Sequence, residues 1–155
     1  MPSIVIDLDG TLSDCSGRVH PLQNGDWVSF HSELMNDEPM SDVRWFLENF
    51  GCGAFGPSPD EFVETIVCTG RSEKYREQTL RWFADHDIFV DHLLMRPDND
   101  YMPDHELKPK MLEEFFGSRE KALEEVKFVI DDRDAVVEAW RNYGLPCWQC
   151  RSGGY

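Results

Sequence analysis

Two runs in this chain, IVIDLD at 4–9 and VKFVIDD at 126–132, carry apolar residues on both faces and end in acid. A strand apolar on both sides must lie between two layers of helix, as central strands of a parallel sheet do. Short runs rich in β-branched residues predict strands at Ser3–Leu8, Glu64–Thr69, Leu93–Arg96, Val126–Ile130 and Pro146–Gln149. Helical spacing appears at Val43, Phe46, Leu47 and Phe50, at Leu80, Phe83 and Ala84, and at Val136, Val137 and Trp140, with Gly51 and Gly144 as stops. The alternation predicts an α/β, doubly wound, Rossmann-like parallel sheet.

With 155 residues, one domain is expected, and a chain of this size buries roughly 68–70% of its unfolded surface without needing disulfides or a structural metal. Between the first two strands lie about 55 residues, more than a crossover helix requires. The stretch from about 19 to 60, which includes the loop Gly51–Pro59, is read as a small helical cap inserted over a site. No run approaches a membrane span and no leader pattern opens the chain, so the expected location is cytoplasmic, with no membrane partner. Five scattered cysteines, Cys15, Cys52, Cys68, Cys147 and Cys150, are read as reduced thiols. The Cys147-x-x-Cys150 pair lacks the further ligands that a zinc site needs.

The ends of the strands carry the chemistry. Open α/β sheets bind ligands outside the carboxyl ends of their strands. There the chain places Asp7 and Asp9, then Thr69-Gly70-Arg71, then Lys108, then Asp131-Asp132-Arg133. A carboxylate at a strand end can attack phosphorus to give an acyl phosphate, which makes Asp7 the candidate nucleophile. Such an attack sets an anion against a phosphate dianion, and Mg²⁺ held by Asp7 and Asp131 would offset the charge. Asp9 can protonate the leaving oxygen and later activate water. Thr69 offers a hydroxyl and nearby N–H groups to phosphate, and Lys108 a compact positive charge. Lys110 competes for that last role, but Pro109 favours a first helical turn that would put Lys108 at the start of a helix facing the site.

Four motifs in order, DLDGTL, CTGR, LKPK and VIDDR, resemble those of haloacid dehalogenase (HAD) superfamily phosphatases, which carry D-x-D-G-T/V, Ser/Thr, Lys and an acidic pair. A narrower resemblance is to the 3′-phosphatase domain of phage-type bifunctional polynucleotide kinase. It rests on Arg18 soon after the first motif, on Thr69-Gly70-Arg71, on Asp131-Asp132-Arg133, on Asp104 four residues before Lys108, and on an ending that includes CWQ and Ser-Gly before an aromatic. The resemblance implies that Arg18, Gly70, Arg71 and Arg133 bind phosphate or the adjoining nucleotide and that Asp132 supports the metal or Lys108. It further implies that Asp9 contributes to the metal through its backbone carbonyl.

The sequence contains no G-x-x-x-x-G-K-[ST], so no kinase half is expected within it, and a kinase or ligase would be a separate partner. The formal charge of −15 argues against a broad phosphate-gripping surface. The expected reaction is Mg²⁺-dependent removal of 3′-phosphate from nucleic-acid ends. A nucleotidase acting on free nucleoside monophosphates is the first alternative, and a noncatalytic phosphate-binding module the second. A calcium loop fails on spacing, since Leu12 and Arg18 stand where an EF-hand needs Gly and Glu. A dehalogenase would use Asp7 but needs neither the metal nor the proton donor at Asp9. Trp82 and Trp140 are expected in the core, while Trp27 and Trp45 are open to base stacking. The histidines, His31 among them, are assigned to the surface or to local hydrogen bonds, with His20 near enough to the first motif to touch substrate.

Overall fold

The computed structural model describes residues 1–50 and 62–153. Its elements are β1 (Ser3–Ile6), β2 (Ser13–Asp14), α1 (Trp27–Ser32), β3 (Glu38–Pro39), α2 (Ser41–Phe50), β4 (Glu64–Ser72) and α3 (Arg76–Asp85). After these come β5 (His92–Arg96), α4 (Asp104–Phe116), α5 (Arg119–Glu125), β6 (Val126–Arg133), α6 (Asp134–Tyr143) and β7 (Cys147–Gly153). Five strands form one sheet in the order β5-β4-β1-β6-β7, and every pairing in it is parallel. The doubly wound α/β fold stands as expected.

The two-faced apolar character of β1 accounts for its central place. Ile4 and Ile6 point into a layer with Val43, Leu47, Val67 and Trp82, whereas Val5 points into the opposite layer with Leu107, Val129 and Trp140. Burying each such aliphatic side chain is worth about 1.5–3 kcal/mol, so no other register in the sheet suits this segment as well. Trp82 and Trp140 are fully buried, one in each layer. Gly144, at φ 109°, ends α6, and Leu145 N–H returns to the Trp140 carbonyl at 3.0 Å.

Three expectations shift. In α3 the buried face is Thr79, Trp82 and Phe83, and Leu80 is exposed. The helix α4 begins at Asp104, a turn earlier than Pro109 suggested; Pro109 lies inside it and has no N–H to give the carbonyl of His105. Of the stretch read as a cap, α2 lies against the sheet through Val43 and Leu47. The part before it folds as short 3₁₀ turns around α1, and β2 pairs with β3. Gly51, Cys52 and the loop Gly51–Pro59 lie outside the described residues. Cys68, Cys147 and Cys150 are free thiols, the last two on the edge strand β7. No helix of the described residues is long and apolar enough to cross a membrane.

Candidate active site

Asp7 is the first residue beyond β1, and its N–H donates to the Ile130 carbonyl at 2.9 Å. This bond ties its backbone to β6. The chain then turns sharply, with Leu8 C=O accepting from Thr11, Leu12 and Ser13 N–H at 3.2, 3.0 and 2.8 Å and Gly10 at φ 87°. A side chain at Gly10 would be strained in that left-handed conformation. The strand β6 carries Asp131 and Asp132 directly, since it continues through Arg133.

Lys108 reaches these carboxylates from α4. Its Nζ lies 2.6 Å from Asp7 Oδ1 and 2.8 Å from Asp131 Oδ2, with all three groups buried. Lys110 is exposed and 3.9 Å from Glu114, so Lys108 is the lysine at the carboxylates. Burial pushes the Asp7 carboxyl well above its ordinary value, and Asp131 and Asp132 add to the rise while Lys108 opposes it. For Lys108, burial favours the neutral amine, but Asp131, Asp7 and Asp104 outweigh it and hold the ammonium well above its ordinary value.

Oxygen atoms of Asp7, Asp131 and Asp132 all lie within 4.8 Å of one another. Thr11 Oγ1 donates to Asp132 Oδ1 at 3.3 Å. Gly153 closes over the same carboxylate, where a Cβ would stand 2.6 Å from Asp132 Oδ2. Three buried carboxylates brought this close form an all-oxygen donor set, which suits a hard divalent cation such as Mg²⁺.

Asp9 lies in a different network. The Arg71 guanidinium donates to both of its oxygens, at 2.9 and 2.6 Å, and Arg18 donates to Oδ1 at 2.5 Å. Arg18 also grips Asp37 at 2.6–3.0 Å and donates to the Phe30 carbonyl at 2.8 Å. Burial alone would raise the Asp9 carboxyl, but Arg71 and then Arg18 outweigh it and hold it well below the usual carboxylate range. Both guanidinium groups, expected on phosphate, are buried beneath Asp9. Asp37 had no motif to announce it. The need for a second carboxylate beside two buried arginines was the available signal.

Arg133 is the one of the three expected arginines that lines the cavity, and it donates to Asp104 Oδ2 at 2.7 Å. Asp104 also pairs with Arg96, whose place in the sequence marks only the end of a strand. Arg96 in turn donates to the Gly70 carbonyl at 2.9 Å. A Cβ on Gly70 would fall 2.5 Å from Asp104 Oδ1, so the glycine permits the approach of this acid. Thr69 is buried, and its hydroxyl accepts from Arg71 N–H at 3.2 Å.

Several of these groups line a cavity of about 600 Å³, within the range of small-molecule sites. Asp7, Asp9, Thr69 and Lys108 lie in it, Arg96 and Arg133 stand at its wall, and Trp27, Tyr75 and Tyr101 are also part of its lining. His31 belongs to the lining as well and is 8% exposed, contrary to its assignment to the surface or a local hydrogen bond. Its Nδ1 is buried with no hydrogen-bond partner among the described residues. His20 opens into a separate, smaller depression with Arg18 and Glu33. Trp45 is exposed and packs on Phe50, away from the cavity.

A parallel Rossmann-like sheet with this set of carboxylates and one lysine at its carboxyl edge defines a HAD-type phosphatase. The whole chain, residues 1–155, matches the family model for the polynucleotide kinase PNKP phosphatase domain, and it belongs to that family. A chain of the solved Pnkp1/Rnl/Hen1 RNA repair complex is 31% identical with a TM-score of 0.76; the match covers 100% of this chain and 44% of that one. A putative bifunctional polynucleotide kinase/RNA ligase of Autographa californica nuclear polyhedrosis virus is 25% identical over 145 residues, 93% of this chain and 18% of the viral protein. The chain thus spans less than half of these relatives. A haloacid dehalogenase-like hydrolase from Streptococcus pneumoniae shares the fold, with a TM-score of 0.62 at 14% identity, covering 96% of this chain and 84% of that one.

Proposed function

We propose that the protein removes phosphate from nucleic-acid 3′ ends, with Asp7 as the nucleophile. The observation that carries this reading is the buried Asp7 carboxylate, 2.6 Å from Lys108 Nζ and clustered with Asp131 and Asp132, on the floor of an open cavity. An Asp7 oxygen attacks phosphorus and the bond to the 3′ oxygen breaks, leaving an aspartyl phosphate on Asp7 and a hydroxyl on the product once that oxygen takes a proton. Water then attacks phosphorus, gives up a proton, and frees Asp7 and inorganic phosphate. Asp7, Asp131 and Asp132 would hold Mg²⁺, with Asp9 contributing through its backbone, and the ion supplies positive charge against the phosphoryl oxygens. Lys108 adds its own charge there and keeps Asp7 and Asp131 in place.

Asp9 supplies and takes the proton. Its two guanidinium partners keep it ionised, the form required to deprotonate water in the second step. The negative charge of an arriving phosphate raises its proton affinity again, which favours the acid form needed in the first step. Arg18 and Arg71 thereby act on substrate through Asp9, and Arg133 at the cavity wall is left to meet phosphate or the adjoining nucleotide directly. The relatives' names, a polynucleotide kinase/RNA ligase and an RNA repair complex, favour a nucleic-acid end and a kinase or ligase as partner. The net charge of −15 favours the second reading, a nucleotidase for free monophosphates. Comparing kcat/KM on a 3′-phosphorylated oligonucleotide with that on a panel of nucleoside monophosphates decides between them. Faster release from the oligonucleotide is expected, and the reverse order would establish the nucleotidase.

A further inference from the structure

The short helix α1 places Trp27 and His31 one turn apart, so their rings fall on one face. Their planes are within 27° at 6.2 Å between centroids, and His31 meets Tyr75 at 4.7 Å and 36°. Three rings thus form one wall that belongs to the lining of the phosphate cavity. The wall is graded in polarity and burial. Trp27 is 55% exposed, whereas His31 is buried and its Nδ1 has no hydrogen-bond partner among the described residues. A buried polar atom without a bond, in a residue that lines a cavity, is a cost unless something else completes it.

The wall is also tied to the acid–base residue. Phe30 packs edge-on against both Trp27 and His31, and Arg18 lies 4.1 Å over its ring, donates to its carbonyl and contacts Asp9. The helix that carries Trp27 and His31 is therefore anchored by the same arginine that fixes Asp9. Burial lowers the basicity of His31, with Arg71, Arg18 and Lys74 adding to the fall and Asp9 opposing it, so the ring is neutral with one donor and one acceptor.

We propose that Trp27, His31 and Tyr75 form the subsite for the nucleoside that carries the scissile phosphate, an unpaired 3′-terminal residue whose base stacks on Trp27 while a sugar oxygen bonds Nδ1 of His31. This rests on the phosphatase reading above. A base–aromatic stack is sequence-tolerant, because every base has a π face. The subsite therefore selects an unstacked end and not a particular base.

The test measures kcat/KM on a 3′-phosphorylated single-stranded hexanucleotide and on β-glycerol phosphate, which has no nucleoside. Trp27→Ala should lower the ratio of the two values by about tenfold, as loss of one stack predicts. His31→Phe should lower it similarly, and His31→Asn, which keeps a polar group near the Nδ1 position, should recover most of it. An unchanged ratio in Trp27→Ala and His31→Phe overturns the subsite, as does equal failure of His31→Asn and His31→Phe. Binding of the same hexanucleotide to the Asp7→Asn protein, followed by tryptophan quenching, separates this inference from the reaction itself. Quenching that disappears on Trp27→Ala supports the subsite even if the wild type releases no phosphate. No quenching, with phosphate release intact in the wild type, overturns the subsite alone.

Discussion

Arg71, fully buried, donates to both oxygens of Asp9, at 2.9 and 2.6 Å. A planar fork on a carboxylate fixes its orientation as well as its charge, which a lysine ammonium cannot reproduce. Arg71→Lys should therefore keep the charge and the fold while lowering kcat by about tenfold or more, within the range that acid–base groups contribute. KM should change little, because Arg71 has no place at the cavity surface. A steady-state comparison checks this, and a rise in KM at constant kcat would show that Arg71 binds substrate.

Asp7 is predicted to trade stability for reactivity. Its buried carboxylate is pushed up by desolvation and by Asp131 and Asp132, so the native state holds its proton more tightly than the unfolded chain does. Ionising Asp7 thus costs stability as pH rises above the ordinary carboxylate range. Asp7→Asn removes that charge and leaves Asp131 to Lys108. The variant should lose all turnover of p-nitrophenyl phosphate and unfold in chelator at a temperature equal to or above that of the wild type. Thermal melts in EDTA beside the activity assay test both halves.

Chelation should abolish activity and excess Mg²⁺ restore it. The same cation should raise the melting temperature of the metal-free protein, because Asp7, Asp131 and Asp132 crowd negative charge within 4.8 Å and a ligand bound only by the native state stabilises it. Asp132→Asn should weaken both effects. Full activity in EDTA would remove the metal from the reaction.

A fourth expectation concerns Gly70. Because a Cβ there would meet Asp104 at 2.5 Å, Gly70→Ala should displace Asp104 from Arg96 and Arg133. The expected cost is about 1–3 kcal/mol of stability, together with a higher KM. Melting and kinetics on one preparation would show the two losses together.

The scaffold was legible in the sequence because its signals are local. Ile4, Val5 and Ile6 announce a central strand by themselves, and Asp7 and Asp131 sit at fixed offsets from such strands. The position of Lys108 was readable, but the start of α4 was not, since a proline inside a helix looks like a first turn until the preceding residues are seen packed. Arg18 and Arg71 stand out by motif, and the family resemblance assigns them to phosphate; only three-dimensional proximity shows that Asp9 and Asp37 take up their charge. His31 carries no local signal at all. Its burial follows from Tyr75, forty-four residues away, closing over it.

That burial leads to a pH dependence that can be separated from catalysis. The His31 pKa is lowered from its ordinary value to about 4, by desolvation first, with Arg71, Arg18 and Lys74 adding to the fall and Asp9 opposing it. The unfolded chain protonates this histidine near pH 6.5, whereas the native state resists until about pH 4. Between those values the unfolded state binds more protons, so stability falls as the pH falls. The loss should be on the order of 3 kcal/mol across the window. His31→Asn, which does not titrate there, should flatten the curve between pH 6.5 and 4. Below that range its stability should still decline, because the depressed carboxylate of Asp9 is then being protonated against Arg71 and Arg18. Urea unfolding at half-unit pH steps measures both slopes, and parallel curves for the two proteins above pH 4 would mean that His31 is not the group responsible.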